Sequence, residues 1–159
     1  MKGFPRIAVM LHNVRSSHNV GSIFRTADAA GVEKIFLSGY TPTPRDRFER
    51  VQKNIAKTAL GAETHVLWEF RKSAVPLIRQ LRKDGRLIVA VEQDKRAHNY
   101  RTYSIERPTV FVFGNEVRGL SKQILDVCDD IVEIPMHGKK ESLNVSVAAG
   151  IILFAHPRS

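Results

Sequence analysis

Hydrophobic positions along the chain fall in short runs separated by stretches with helical spacing, which predicts an α/β fold: a mostly parallel sheet flanked by helices. Ile7 to Asn13 reads as a first strand, buried on both faces. Asn19 to Ala30 reads as a helix, with Val20, Ile23, Phe24 and Ala27 sharing one face and Gly31 as its stop. Lys34 to Tyr40 is a second strand. The turn Thr41-Pro-Thr-Pro44 then opens a charged segment, Arg45 to Arg50, expected to be mobile and to run into a helix reaching Leu60.

Thr64 to Phe70 is expected as a third strand, Lys72 to Lys83 as a helix, and Arg86 to Glu92 as a fourth strand. Residues Gln93 to Pro108 are polar and irregular, apart from a short element near Tyr100 to Ile105. Thr109 to Phe113 is a fifth strand ending in Gly114, Ser121 to Val127 a helix with Ser121 as N-cap, and Ile131 to Ile134 a sixth strand. The last helix, Ser142 to His156, is apolar nearly all round, so it needs cover on several sides, from its own sheet and from a second subunit as a further candidate. No repeat, low-complexity tract or linker interrupts the pattern, and one domain over residues 1–159 is expected.

Composition narrows the function classes. With 159 residues, 43% hydrophobic and 26% charged, the chain fits one soluble domain that needs no staples. Cys128 is the only cysteine, so a disulfide scaffold is excluded; beside Asp129 and Asp130 it is a poor thiolate and reads as a packing residue. Met1 to Val14 lacks the features of a signal peptide, and Val145 to Ala155 is about half the roughly 20 residues a bilayer crossing needs. A cytoplasmic protein without a membrane partner is expected. The six histidines are scattered, with no ligand spacing, so no metal is expected.

The net charge is +9 and uneven, with 20 Lys+Arg against 10 Asp+Glu in residues 1–107. Such an excess suits a polyanion partner, RNA or DNA, and equally a well-solvated basic surface.

Three segments place glycine and small polar residues where a strand ends, the edge at which open α/β sheets bind ligands. They are Asn13 to Arg25, Phe113 to Ser121, and Ile134 to Asn144. The second has the glycine separation of a P-loop, but Leu120 stands where the phosphate-binding lysine would be. No G-x-G-x-x-G follows the first strand.

Together, Asn19-Val-Gly21 with Arg25-Thr-Ala27, Phe113-Gly-Asn-Glu116 with Gly119-Leu-Ser121, and Ile134-Pro-Met136 with Ser142-Leu-Asn-Val-Ser146 closely resemble the three signature motifs of the SpoU/TrmH family. These are S-adenosylmethionine-dependent RNA ribose 2′-O-methyltransferases of the SPOUT, or α/β-knot, superfamily, and the resemblance spans nearly the whole chain. It implies a C-terminal deep trefoil knot, a homodimer whose partner's first motif completes the active site, and a tRNA or rRNA substrate; many members carry an N-terminal substrate-recognition domain, whereas here the catalytic fold is expected to begin by Ile7, without an appended RNA-recognition domain.

By that resemblance Arg25 is the central catalytic residue, with Asn19, Glu116, Ser142 and Asn144 around it. Guanidinium stays protonated in proteins, so Arg25 is assigned to polarising the 2′-hydroxyl or its neighbouring phosphate. Taken alone, Arg25 also reads as a surface ion pair with Asp28, Glu116 as the partner of an arginine or the cap of the turn before Ser121, and Ser142 and Asn144 as helix caps. Gly114 and Gly119 would let the backbone approach a bulky ligand, with Ile134, Met136 and Leu143 enclosing its adenine and Val91 as a further wall. Arg15, Arg45, Arg47, Arg50, Lys53, Lys139 and Lys140 are the candidates for RNA phosphates. The competing readings are a non-catalytic RNA-binding module and a knotted methyltransferase acting on a base.

Overall fold

Strands β1 (Ile7–His12), β2 (Lys34–Ser38), β3 (Leu67–Arg71), β4 (Leu87–Val91), β5 (His98–Asn99), β6 (Thr109–Phe113) and β7 (Asp130–Glu133) form one sheet in the order β3-β2-β1-β6-β4-β7-β5 in the computed structural model, which describes residues 3–156. Every ladder pairing is parallel. The apolar runs reflect this, since a parallel strand covered on both sides has no polar face to show. Every residue of β6 is buried, as is β1 from Ile7 to Leu11.

Side-chain alternation sorts those runs into two cores. Val9, Leu11, Val89, Phe111 and Phe113 face α1 (Ser17–Ala29), α2 (Lys53–Ala59) and α5 (Val145–Ala155), where Ile23, Phe24, Ile55 and Ile152 are fully buried. Ala8, Met10, Ile88, Val110 and Val112 face α3 (Ala74–Lys83) and α4 (Lys122–Val127) through Leu77, Ile78 and Ile124. Full burial of each large apolar side chain contributes about 1.5–3 kcal/mol relative to exposure.

The elements differ from the sequence expectations mainly at their ends. Helix α1 starts two residues early, because Ser16 accepts the Asn19 N–H at 3.2 Å as N-cap. Gly31, at φ +71°, follows its C-cap as expected. The third strand is Leu67–Arg71, because Ala62–Thr64 turns as a short 3-10 helix. Polar His98–Asn99 forms an edge strand by pairing with Val132 and Glu133, while Tyr100 to Ile105 forms no strand or helix. Helix α5 begins at Val145 and not at Ser142, since Asn144 caps it by accepting the Ser146 N–H at 2.8 Å.

The charged segment after Pro44 forms a closed hairpin, and the helix expected beyond it is α2, from Lys53 to Ala59 with Leu60 as its C-cap. Arg45 and Val51 bridge antiparallel, and Asp46 accepts the N–H groups of Phe48 and Arg50 at 2.8 and 3.0 Å and the Arg50 Nε at 2.7 Å. These bonds hold the Asp46 carboxyl below its usual range. Opposite charges here bond to each other and to the main chain of the turn.

Candidate active site

Because β6, β4 and β7 are adjacent in the sheet, the loops that leave their C-terminal ends converge although they are far apart in sequence. They enclose a cavity lined by Val91, Gly114, Gly119, Ile134, Met136 and Leu143, with Glu92, Phe113, Arg118 and Ser142 at its margins. All six candidate cofactor residues therefore share one wall system.

The two glycines serve the loop before they serve any ligand. A methyl group on Gly114 would lie 2.7 Å from the Gly119 carbonyl carbon, and one on Gly119 would collide with the Glu92 carboxylate. Gly119, at φ +65°, closes the loop by donating its N–H to the Asn115 oxygen at 2.9 Å. Glu92 then accepts the Leu120 N–H at 3.0 Å, tying this loop to the end of β4.

Loop 113–121 also reaches the first segment. Asn115 Nδ2 donates to the Asn13 carbonyl at 3.0 Å and to the Tyr40 hydroxyl at 3.1 Å. Asn13, held at φ +56°, accepts the Tyr40 N–H at 3.1 Å through its side chain, which offsets the cost of the left-handed backbone.

Among the described residues Glu116 forms no hydrogen bond or ion pair with an arginine side chain, and the turn before α4 is capped by Ser121, which accepts the Ile124 N–H at 3.3 Å. Its carboxylate accepts the main-chain N–H groups of Arg15 and Ser16, each at 3.1 Å, and Asn19 Nδ2 at 3.3 Å. Asn19, 8% exposed, in turn accepts Asn144 Nδ2 at 3.2 Å through its Oδ1. Glu116, Asn19 and Asn144 thus form a hydrogen-bonded chain that joins all three segments. Burial acts to raise the Glu116 pKa, but the N–H groups of Ser16, Glu116 itself and Arg15, together with the Asn19 amide, outweigh it and leave the pKa lowered.

The remaining candidates are dispersed. Ser142 sits exposed at the cavity margin and caps nothing, whereas Asn144 is both cap and link. Arg25 is exposed on α1, off the cavity, and pairs with neither Asp28 nor any other side chain among the described residues. Arg15 and Arg118 flank a groove that continues from the cavity past Asn115, Glu116 and Val117. Arg45, Arg47 and Arg50 line a second groove that shares Tyr40 with the first, while Lys53 at the start of α2 and Lys139 and Lys140 in the loop before α5 are exposed.

Sequence reasoning missed Glu92, Arg118 and Tyr40. Glu92 had a legible signal, an acid directly after a fully apolar strand; Tyr40 and Arg118 become informative only when loops distant in sequence meet. Cys128 is pushed up to about 12, by burial first and then by Asp129, against Arg82, so burial matters more than the acids the sequence pointed to. No group of three or more His, Cys, Asp or Glu suited to a metal ion occurs among the described residues.

Residues 6–154 match the SpoU rRNA Methylase family. A tRNA (guanosine(18)-2′-O)-methyltransferase of Aquifex aeolicus is 35% identical over 96% of this chain and 69% of its own. A 23S rRNA (guanosine-2′-O-)-methyltransferase, RlmB, of Ralstonia nicotianae is 33% identical over 94% of this chain and 57% of its own. Among solved structures, the AdoMet-bound rRNA methyltransferase of Sinorhizobium meliloti superposes with a TM-score of 0.86 at 31% identity, covering 95% of this chain and 55% of that one. The chain spans 56% to 69% of the length of these and similar curated relatives.

Proposed function

Because the chain belongs to the SpoU rRNA methylase family, we propose that it transfers a methyl group from S-adenosylmethionine to a ribose 2′-hydroxyl of tRNA or rRNA. The proposal rests on the chain Glu116, Asn19 and Asn144, which ties the three family-like segments into one constellation beside the cavity. The relatives' named activities on tRNA and rRNA support the substrate class.

The cavity fits the methyl donor. Its walls at Val91, Ile134, Met136 and Leu143 are apolar, and the main-chain polar groups of Met136 and Leu143 have no hydrogen-bond partner among the described residues, leaving them open to the edge of an adenine. When bound, the donor supplies an electrophilic methyl on a sulfonium. The protein then has to hold the ribose oxygen in line with that methyl and stabilise the charge that develops as its proton leaves for water. Glu116, already ionised and satisfied by N–H donors, positions Asn19 and the Arg15–Ser16 turn and takes no proton. Arg25, with no side-chain partner among the described residues, is assigned to donate to the 2′-oxygen or the adjacent phosphate in the site of a second subunit.

A homodimer follows from that role and is supported by the apolar surface of α5, where Val147 and Phe154 are 50% and 57% exposed. Family membership further supports a C-terminal trefoil knot, and an RNA substrate supports a cytoplasmic location. Among the described residues no helix is long and apolar enough to cross a membrane. Arg15, Lys53, Lys139 and Lys140 are assigned to RNA phosphates, together with the three arginines of the Pro44–Val51 hairpin.

The test incubates the protein with methyl-labelled S-adenosylmethionine and total tRNA or rRNA, followed by alkaline hydrolysis. Label in an alkali-resistant dinucleotide supports the proposal, since a methylated 2′-oxygen cannot attack the neighbouring phosphate. Label in a mononucleotide would make the chain a base methyltransferase, and RNA binding without donor binding would make it a non-catalytic module.

A further inference from the structure

At the β3 edge of the sheet, Tyr40, Phe48, Trp68 and Phe70 line a groove together with Arg45 and Arg47, and Tyr40 joins it to the loops of the candidate active site through its bond from Asn115. Trp68 and Phe70 alternate along β3 and so share a sheet face, and Phe48 is presented by the hairpin that Asp46 holds closed. Tyr40, Phe48 and Phe70 are 57%, 62% and 41% exposed. The guanidinium groups of Arg47 and Arg50 lie 4.7 and 5.0 Å from the Phe48 ring centre.

An aromatic floor with a cationic rim suits a planar ring carried on a polyanion. Bases stack on aromatic side chains and on arginine planes, while arginine edges take the phosphates. We propose that this groove binds an unstacked nucleobase of the substrate RNA, with Trp68 and Phe48 as stacking platforms and Arg45 and Arg47 on the flanking backbone. The inference rests on RNA being the substrate. Preorganisation strengthens it: the hairpin is closed by the Arg45–Val51 bridge and by Arg45 Nη1 donating to the Glu49 carbonyl at 2.9 Å, so binding orders little new chain.

Trp68 is the only tryptophan, so all tryptophan fluorescence of the chain comes from one wall of this groove, where the half-buried ring also packs against the core. The experiment titrates the full chain with a short single-stranded oligoribonucleotide, with an abasic strand of equal phosphate count, and with an acidic peptide of equal charge. Expected is saturable quenching by the oligoribonucleotide only, and affinity lowered roughly five- to 150-fold in Phe48→Ala, the range for loss of one stacked base. Arg47→Ala should weaken the abasic strand as well. Both exposed substitutions should leave circular dichroism and donor binding unchanged.

Equal binding of both strands without a fluorescence change would overturn stacking and leave a purely electrostatic surface. Equal quenching by the peptide would reassign the groove to a protein partner. Methyl transfer to RNA with no response of Trp68 would overturn the groove alone, whereas donor binding with no RNA binding anywhere would overturn the proposed substrate.

Discussion

Replacing Glu116 by Gln tests the link between the three segments, because it preserves size while removing the charge and one acceptor. Glu116 Oε1 accepts from Ser16 and Asn19 and Oε2 from Arg15, so the amide of Gln keeps the first pair and turns an N–H donor toward the Arg15 N–H. A hydrogen bond to an ionised group contributes about 1.5–3 kcal/mol when shielded. Solvent at this partly exposed site reduces that to about 0.5–1 kcal/mol per bond. Losing one bond and weakening two gives a destabilisation of about 1 kcal/mol, or a fall in urea midpoint of about 0.5 M.

The dependence on pH is the sharper part. The folded-state pKa of Glu116 lies below its ordinary value of 4.5. Its contribution is therefore complete above that value and is lost as pH falls through the folded-state pKa. Urea unfolding followed by circular dichroism should show the wild type more stable than E116Q at neutral pH, with the gap narrowing only below about pH 4.5. Equal midpoints at neutral pH, or a gap unchanged in acid, would show that the carboxylate does not hold the loops together.

Gly114→Ala should cost about 1–3 kcal/mol, because its methyl meets the Gly119 backbone, and should weaken S-adenosylmethionine binding in calorimetry; unchanged stability and affinity would contradict the close approach. Arg25→Ala should leave Tm within about 2 °C of wild type, since the side chain is exposed and unpartnered, while methyl transfer falls at least about 100-fold; equal loss of donor binding would rule out a purely catalytic role. Cys128, pushed up to about 12, should react with iodoacetamide at pH 8 far more slowly than a free thiol, and labelling at the free-thiol rate would refute its burial.

The strands were legible because parallel pairing leaves an unmistakable trace, continuous runs such as Leu87 to Val91 and Thr109 to Phe113. Strand β5 left none, since His98 and Asn99 are strand only by virtue of the partner they meet. The site was half legible. The family resemblance picked out Glu116, Asn19 and Asn144 but not their contact with one another, which depends on loops converging in three dimensions. The glycines were picked out for a ligand, and nothing in the sequence reveals that Gly114 also packs against Gly119. The hairpin after Pro44 was not legible, because its opposite charges could face solvent as readily as each other.

The bond between Asn19 and Asn144 joins residues 125 positions apart, and that between Ser16 and Glu116 spans 100. A ribosome has therefore made most of the chain, including the whole of α1, before the last member of the constellation exists. Contacts of such separation close late and slowly. During synthesis Asn19 has no Asn144 to hold it, and the cavity lacks the wall that Leu143 provides. The site is therefore incomplete on the nascent chain until Asn144 and the start of α5 have been made, so the order of synthesis alone sets when its chemistry can begin.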